Sequence, residues 1–255
     1  MNFIFDLDGT ICFDGMTIPE KIYYALQKAN IYGHQIIFAS ARSYRDCLPV
    51  IGDYFSGYPV IGLNGALIYH RGELKTADVI NYSLYLELIR YCKERNIPYF
   101  VDDIIDYHSF LGDKISFISR VNIQGIAEER EFHEIDRPVK VVINLENHLS
   151  CKEELLQKMA KQPVEILFHE IENYLYINPE NSTKATGIRS FIMGDYICFG
   201  NDKNDITMFQ NAYYAVQIGD YPELTPYADE QIKGQDLEGQ IADKMIELFK
   251  QYMHE

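Results

Sequence analysis

Two aspartates one residue apart, Asp6 and Asp8, close the run Asn2-Phe3-Ile4-Phe5 and lead into Gly9-Thr10. Carboxylates held this close repel one another unless a cation or a shared proton relieves them. A turn carrying two solvated aspartates is the plainer alternative. A second apolar run, Gln35-Ile36-Ile37-Phe38-Ala39, ends in Ser40-Ala41-Arg42. A hydroxyl with neighbouring backbone N–H groups can hold a phosphate oxygen, although Ser40 also suits the cap of the helix that follows. Lys184 stands where a helix should start, with Ser182 or Thr183 as its cap. Asp195 to Phe199 then runs into Gly200-Asn201-Asp202-Lys203-Asn204-Asp205, where four of six residues are Asn or Asp. Oxygen donors in this number suit a hard cation, and Mg²⁺ prefers one or two carboxylates with waters and a phosphate oxygen. An Asx-rich turn capping the next helix is the alternative.

Such groups act together only if the chain brings them to one edge. The apolar runs 2–5, 35–39, 59–63 and 195–199 read as buried strands, and a helix beginning at Pro19 carries Ile22, Leu26 and Ala29 on one face. Alternation of strand and helix predicts a parallel sheet covered on both faces. Ligands of such sheets bind at the carboxyl ends of the strands, where Asp6, Ser40 and Asn201 fall. Asn64-Gly65 marks a tight turn, with 66–69 continuing as a hairpin around Arg71-Gly72.

Near residue 80 the pattern changes. Ile80 to Glu94 and Glu153 to Ala160 read as helices, residues 123–134 as a short acidic helix, and 99–101, 104–110, 138–145, 164–168 and 174–177 as strands. That is enough for a small α+β domain. In it, Tyr99, Asp102, Asp103, Tyr107 and His108 either face a ligand or cover the domain's own sheet, the second being the commoner use. After Lys184, Tyr213 to Ile218 reads as a strand and Leu237 to Tyr252 as a closing helix.

Composition narrows the partners. The formal charge of −15 argues against nucleic acid, whose binding relies on basic surface. A small phosphorylated molecule stays open, because a local cation reverses the field inside one site. No apolar run approaches the roughly 20 residues that span a bilayer, and no secretory leader is evident. Five scattered cysteines without metal-type spacing suggest reduced thiols and a cytoplasmic location. No obligatory protein partner is evident.

Taken in order, Asp6-Leu7-Asp8-Gly9-Thr10, Ser40, Lys184 and Gly200-Asn201-Asp202-Lys203-Asn204-Asp205 resemble the four motifs of the haloacid dehalogenase-like superfamily. The insertion between the second and third resembles the Cof-type phosphatase branch. The resemblance implies a Rossmann-like, doubly wound parallel α/β core of residues 1–79 and 180–255, with an inserted α/β cap of residues 80–179 that selects the substrate. It implies Asp6 as nucleophile forming an aspartyl-phosphate, Asp8 as general acid and base, and Ser40, Ala41 and Lys184 around the phosphoryl oxygens. Mg²⁺ would be held by Asp6, the Asp8 backbone carbonyl, Asn201 and Asp205, while Arg42, Asn64, Gly65 and Asn204 are candidates for substrate contact. The family commonly has Asp where this chain has Asn201, which removes one negative charge from the metal site. The activity implied is a Mg²⁺-dependent phosphatase of small phosphorylated metabolites, with sugar phosphates foremost. A phosphomutase, a phosphatase dedicated to one sugar phosphate, and a non-catalytic phosphate or metal sensor are the alternatives.

Overall fold

The computed structural model describes residues 1–253. The first stretch forms β1 (Asn2–Phe5), α1 (Glu20–Lys28), β2 (Gln35–Ala39), α2 (Tyr44–Phe55), β3 (Val60–Gly62), β4 (Leu67–His70) and β5 (Glu73–Ala77). Next come α3 (Tyr82–Glu94), β6 (Tyr99–Asp102), β7 (Tyr107–Phe110), β8 (Lys140–Asn144), α4 (Lys152–Met159), β9 (Val164–His169) and β10 (Tyr174–Pro179). The chain closes with α5 (Lys184–Phe191), β11 (Tyr196–Gly200), α6 (Ile206–Phe209), β12 (Tyr214–Ile218), β13 (Glu230–Ile232) and α7 (Leu237–Gln251).

Two sheets organise these elements. The larger has the order β13-β12-β11-β1-β2-β3-β4-β5, parallel except for the antiparallel β3–β4 and β4–β5 pairings. Its central strands are apolar on both faces, as a strand covered from two sides must be. Phe3 and Phe5 pack with Ile22 and Leu26 of α1 and Ile241 and Phe249 of α7. Ile4, between them in sequence, packs on the other face with Ile188 of α5 and Met208 of α6. The smaller sheet, β7-β6-β8-β10-β9, is antiparallel and has its own core with α3 and α4.

The strand order reverses at β1. From it the chain proceeds one way through β2 and β3 and the other way through β11 and β12, so β1 lies at a topological switch point. Residues just beyond β1, β2 and β11 therefore share one edge.

Two readings differ from the structure. Residues 123–134 do not form a helix. After a turn at Asn122 and Gly125, both with positive φ, the chain runs beside β7, where Tyr107 N–H donates to the Glu128 carbonyl and Arg130 N–H to the Tyr107 carbonyl. Phe132–Glu134 forms a single 3₁₀ turn. The Asn122 side chain, bonded to both backbone groups of Ala127, fixes that turn and takes the backbone out of helical register. The edge strand β13 has no counterpart in the sequence reading, because three half-polar residues carry too little periodicity to be seen.

Candidate active site

Asp6 follows β1 and is held in line by its own N–H donating to the Phe199 carbonyl on β11, 3.0 Å away. Its carboxylate is buried and gripped from two sides. Lys184 Nζ donates to Oδ1 at 2.5 Å, and Thr10 Oγ1 donates to Oδ2 at 2.8 Å. Lys184, at 0 % exposure, also donates to Asp205 Oδ1 at 2.7 Å. One ammonium thus sits between two carboxylates from opposite ends of the chain.

Burial pushes the Asp6 carboxyl up to about 7, against the pull of the Lys184 ammonium. Burial alone would lower the Lys184 pKa, but the Asp205 and Asp6 carboxylates outweigh it and hold the lysine above its ordinary value. A further cation beside Asp6 would act in the same direction as Lys184, favouring the carboxylate.

α5 presents Lys184 because Thr183, rather than Ser182, caps it by accepting from Thr186 N–H. The start of α5 is fixed by glycine contacts. A Cβ on Gly65, whose φ is +105°, would lie 2.1 Å from the Thr183 carbonyl oxygen, and one on Gly187 would lie 2.8 Å from Gly65 Cα. Gly65, a candidate for substrate contact, is in the structure a packing position. Asn64 and Asn204, two more such candidates, meet each other, with Asn204 Nδ2 donating to Asn64 Oδ1 at 3.3 Å.

The turn after β11 brings Asn201 to Asp6. One terminal atom of its amide lies 2.9 Å from Thr10 Oγ1, 3.0 Å from the Asp8 carbonyl oxygen and 3.0 Å from Asp6 Oδ2. With nitrogen inward, the amide donates to all three. With oxygen inward, it forms a three-oxygen face with Asp6 Oδ2 and the Asp8 carbonyl. Octahedral Mg²⁺ with bonds of 2.0–2.1 Å sets neighbouring ligand oxygens about 2.9 Å apart, and the two edges from Asn201, 3.0 Å each, match that spacing.

Asp205 stands behind this face. Its Oδ1 takes Lys184, and its Oδ2 accepts from the N–H groups of Asn201 and Asp202 at 2.9 and 3.1 Å. As placed, both oxygens anchor the lysine and the turn. Among the described residues, no three His, Cys, Asp or Glu side chains cluster as a metal site; the oxygen face combines one carboxylate, one carbonyl and one amide.

The Asp8 side chain turns the other way. Arg42 clamps it with two bonds, Nε to Oδ2 at 2.7 Å and Nη2 to Oδ1 at 2.5 Å, while Nη2 also donates to the Gly15 carbonyl. Arg42 therefore meets the second aspartate directly. Ser40 is buried beyond β2, where its Oγ accepts from Arg42 N–H at 3.1 Å, and the Ala41 carbonyl accepts from Lys140 Nζ at 3.3 Å.

Several further groups at this edge have roles that the sequence motifs do not assign. Thr10 binds Asp6, and α2 sends Arg45 into the smaller sheet, where it pairs with buried Asp102 at 2.5 Å and lies 5.0 Å from the Tyr107 ring centre. Lys140 reaches the Ala41 carbonyl from that same sheet. The available signal was a single cation inside an apolar strand, Pro138-Val139-Lys140-Val141-Val142. Tyr99 and His108 bond to each other at 3.1 Å inside the smaller sheet's core, and Asp103 accepts backbone N–H groups.

A family model described as haloacid dehalogenase-like hydrolase matches residues 3–245. A relative from Bacillus subtilis, 5-amino-6-(5-phospho-D-ribitylamino)uracil phosphatase YitU, is 21% identical over 240 residues, covering 84% of each chain. The solved structure of a haloacid dehalogenase-like hydrolase from Bacteroides thetaiotaomicron superposes with a TM-score of 0.84 at 18% identity, covering 97% of this chain and 98% of that one. The HAD subclass IIB sugar phosphatase BT4131 superposes with a TM-score of 0.76 at 20% identity, covering 97% and 98%.

Proposed function

Because the chain belongs to the haloacid dehalogenase-like hydrolases, we propose that it is a Mg²⁺-dependent phosphatase of small phosphorylated metabolites, sugar phosphates foremost. The observation that carries this reading is the convergence on Asp6 of Lys184, Thr10, the Asn201 amide and the Asp8 carbonyl. Residues 1–79 and 180–255 form the catalytic core in this reading, and residues 80–179 a cap over the strand ends. The names of relatives that act on phosphorylated compounds support the substrate class.

Asp6 Oδ2, the Asp8 carbonyl and the Asn201 amide oxygen would hold Mg²⁺. When bound, the ion neutralises charge so that an anionic nucleophile and an anionic phosphate can approach. Asp6 Oδ1, beside the Lys184 ammonium, is then the attacking oxygen. It forms a bond to phosphorus as the bond to the leaving oxygen breaks, leaving the phosphoryl group on Asp6. Lys184 and the Ser40–Ala41 turn bind the phosphoryl oxygens, where stabilisation of developing charge is greatest.

Asp8 gives its proton to the leaving alkoxide and later takes one from the water that attacks the acyl phosphate. Both Asp8 oxygens here accept from Arg42, so the proton-donating form parts from at least one of those N–H groups. Arg42 is in this reading a positioning residue for Asp8.

The test is a phosphomonoester panel with Mg²⁺ and a chelator control. Phosphate release that needs Mg²⁺ and vanishes in both Asp6→Asn and Asp8→Asn is expected. No release from sugar phosphates, nucleotides or cofactor phosphates would overturn the reading.

A further inference from the structure

The face of the smaller sheet that meets the core carries a polar row. Asp102 on β6 stands opposite Lys140 on β8, and one step along the β8–β10 register Asn178 stands opposite Lys140. Arg45 of α2 takes up Asp102, and Lys140 Nζ reaches the Ala41 carbonyl beside Ser40. The row therefore looks onto the strand ends that bear the site.

Two members of it are incompletely matched. Among the described residues, Lys140 has no carboxylate at ion-pair distance; its ammonium meets the Ala41 carbonyl and lies 5.3 Å from the Tyr176 ring centre. Burial lowers its pKa, opposed by the nearby Asp102 and Asp46. Asn178 is only 6 % exposed, and its buried Oδ1 has no hydrogen-bond partner among the described residues. A buried amide oxygen left this way is open to a hydrogen-bond donor.

A third group arrives from the loop after β7. A Cβ on Gly15 would lie 2.9 Å from Arg120 Nη1, 3.4 Å from Arg42 Nη2 and 3.9 Å from Asp8 Oδ1. Arg120 thus stands at the Asp8 side of the site, and it too has no ion-pair partner among the described residues. The chain holds 38 acidic and 23 basic residues, so a scarcity of carboxylates does not explain two unmatched cations, one at Ala41 and one at Gly15.

We propose that Lys140 and Arg120 bind a second anionic group on the leaving alcohol, with Asn178 Oδ1 accepting from a hydroxyl of the same alcohol, so that the preferred substrates are phosphomonoesters of acidic alcohols. The second group is a carboxylate or a second phosphate. The proposal rests on the phosphatase reading and narrows its substrate class. Charge-assisted hydrogen bonds from an ammonium and a guanidinium suit either anion, and the guanidinium binds it with two parallel bonds.

The experiment compares matched substrates: a hexose phosphate against the phosphorylated sugar acid of equal length and the hexose bisphosphate, and glycerol phosphate against phosphoglycerate. The acidic members are expected to show kcat/KM at least about tenfold higher, mainly through KM, because a site built for a polar group rejects the analogue that lacks it. Lys140→Met and Arg120→Gln should each bring that ratio down roughly fivefold or more. Asn178→Asp, which sets a carboxylate beside Lys140, should do the same even if the lysine variant folds poorly. The carboxylate and bisphosphate arms show which anion is taken.

Phosphate release without preference for the acidic members, or a preference untouched by all three variants, overturns the proposal while leaving the phosphatase reading in place. If no substrate is turned over, calorimetric binding of the same pairs to the unmutated chain decides. Tighter binding of the acidic members, lost in the variants, supports the second site against the failed phosphatase reading, and equal binding overturns both.

Discussion

Replacing Lys184 by Met removes the ammonium that sits between two buried carboxylates. Its Nζ lies 2.5 Å from Asp6 Oδ1 and 2.7 Å from Asp205 Oδ1, so those oxygens are at most about 5 Å apart. At an effective dielectric of about 20, two unit charges at that distance repel by about 3 kcal/mol. Removing one partner of a buried pair typically costs about 3–5 kcal/mol, and the two routes agree. Against a total stability of roughly 5–15 kcal/mol, a loss of about 3 kcal/mol is plain in urea unfolding as a lower midpoint at unchanged slope.

Two controls separate this cause from lost packing, since Met conserves most of the volume. Lys184→Met/Asp205→Asn removes one of the repelling charges and should recover most of the loss. The loss should also depend on pH. Repelling carboxylates have folded-state pKa values raised above the unfolded value near 4, so the variant is at its best below that value and loses stability as pH rises through the raised folded pKa. A loss under about 1 kcal/mol, or one equal in the double variant and at pH 5 and 8, would refute the electrostatic account.

Other perturbations follow from the same geometry. Gly65→Ala places a methyl against the Thr183 carbonyl at positive φ, so α5 must shift; we expect a loss of more than about 2 kcal/mol and of phosphate release together, measured by unfolding and phosphate assay. Asn201→Asp sets a second carboxylate 3.0 Å from Asp6 Oδ2; melting should fall without Mg²⁺ and rise more steeply with it, by about tenfold in apparent affinity, and an unchanged Mg²⁺ titration would speak against the oxygen face. Arg45→Met leaves Asp102 buried and unpaired, costing about 3 kcal/mol and speeding proteolytic cleavage of the smaller sheet; an unchanged cleavage rate would show that this pair does not tie the two sheets. Backbone N–H groups of Thr17 and Met16 hold the exposed Asp14 carboxyl down to about 2, so its contribution is present above the unfolded carboxylate value and lost as pH falls toward 2, which NMR titration of Asp14 reads directly.

The larger sheet was legible because its central strands are continuous apolar runs, each broken at its carboxyl end by a polar residue. Phe5 into Asp6, Ala39 into Ser40 and Gly200 into Asn201 mark the edge in the sequence itself. Side-chain direction at that edge was not legible. Nothing local tells that Asp8 turns to Arg42, that Asp205 faces Lys184, or that Asn64 and Asn204 pair across 140 positions. The face between the sheets was least legible of all. Arg45 and Asp102 are 57 residues apart, and each alone looks like an ordinary helix or strand-end charge. Lys140 left a trace, as a cation in an apolar strand, but its meaning depends on a loop about a hundred residues earlier.

In the proposed mechanism Asp6 carries the phosphoryl group. Acid quenching of turnover with Mg²⁺ and a reactive phosphomonoester, followed by peptide mass spectrometry, tests it most directly. One phosphoryl group is expected on the peptide containing Asp6, removable by hydroxylamine and absent from Asp6→Asn. Phosphate release that persists in Asp6→Asn, or a phosphoryl group trapped on another residue, would contradict it.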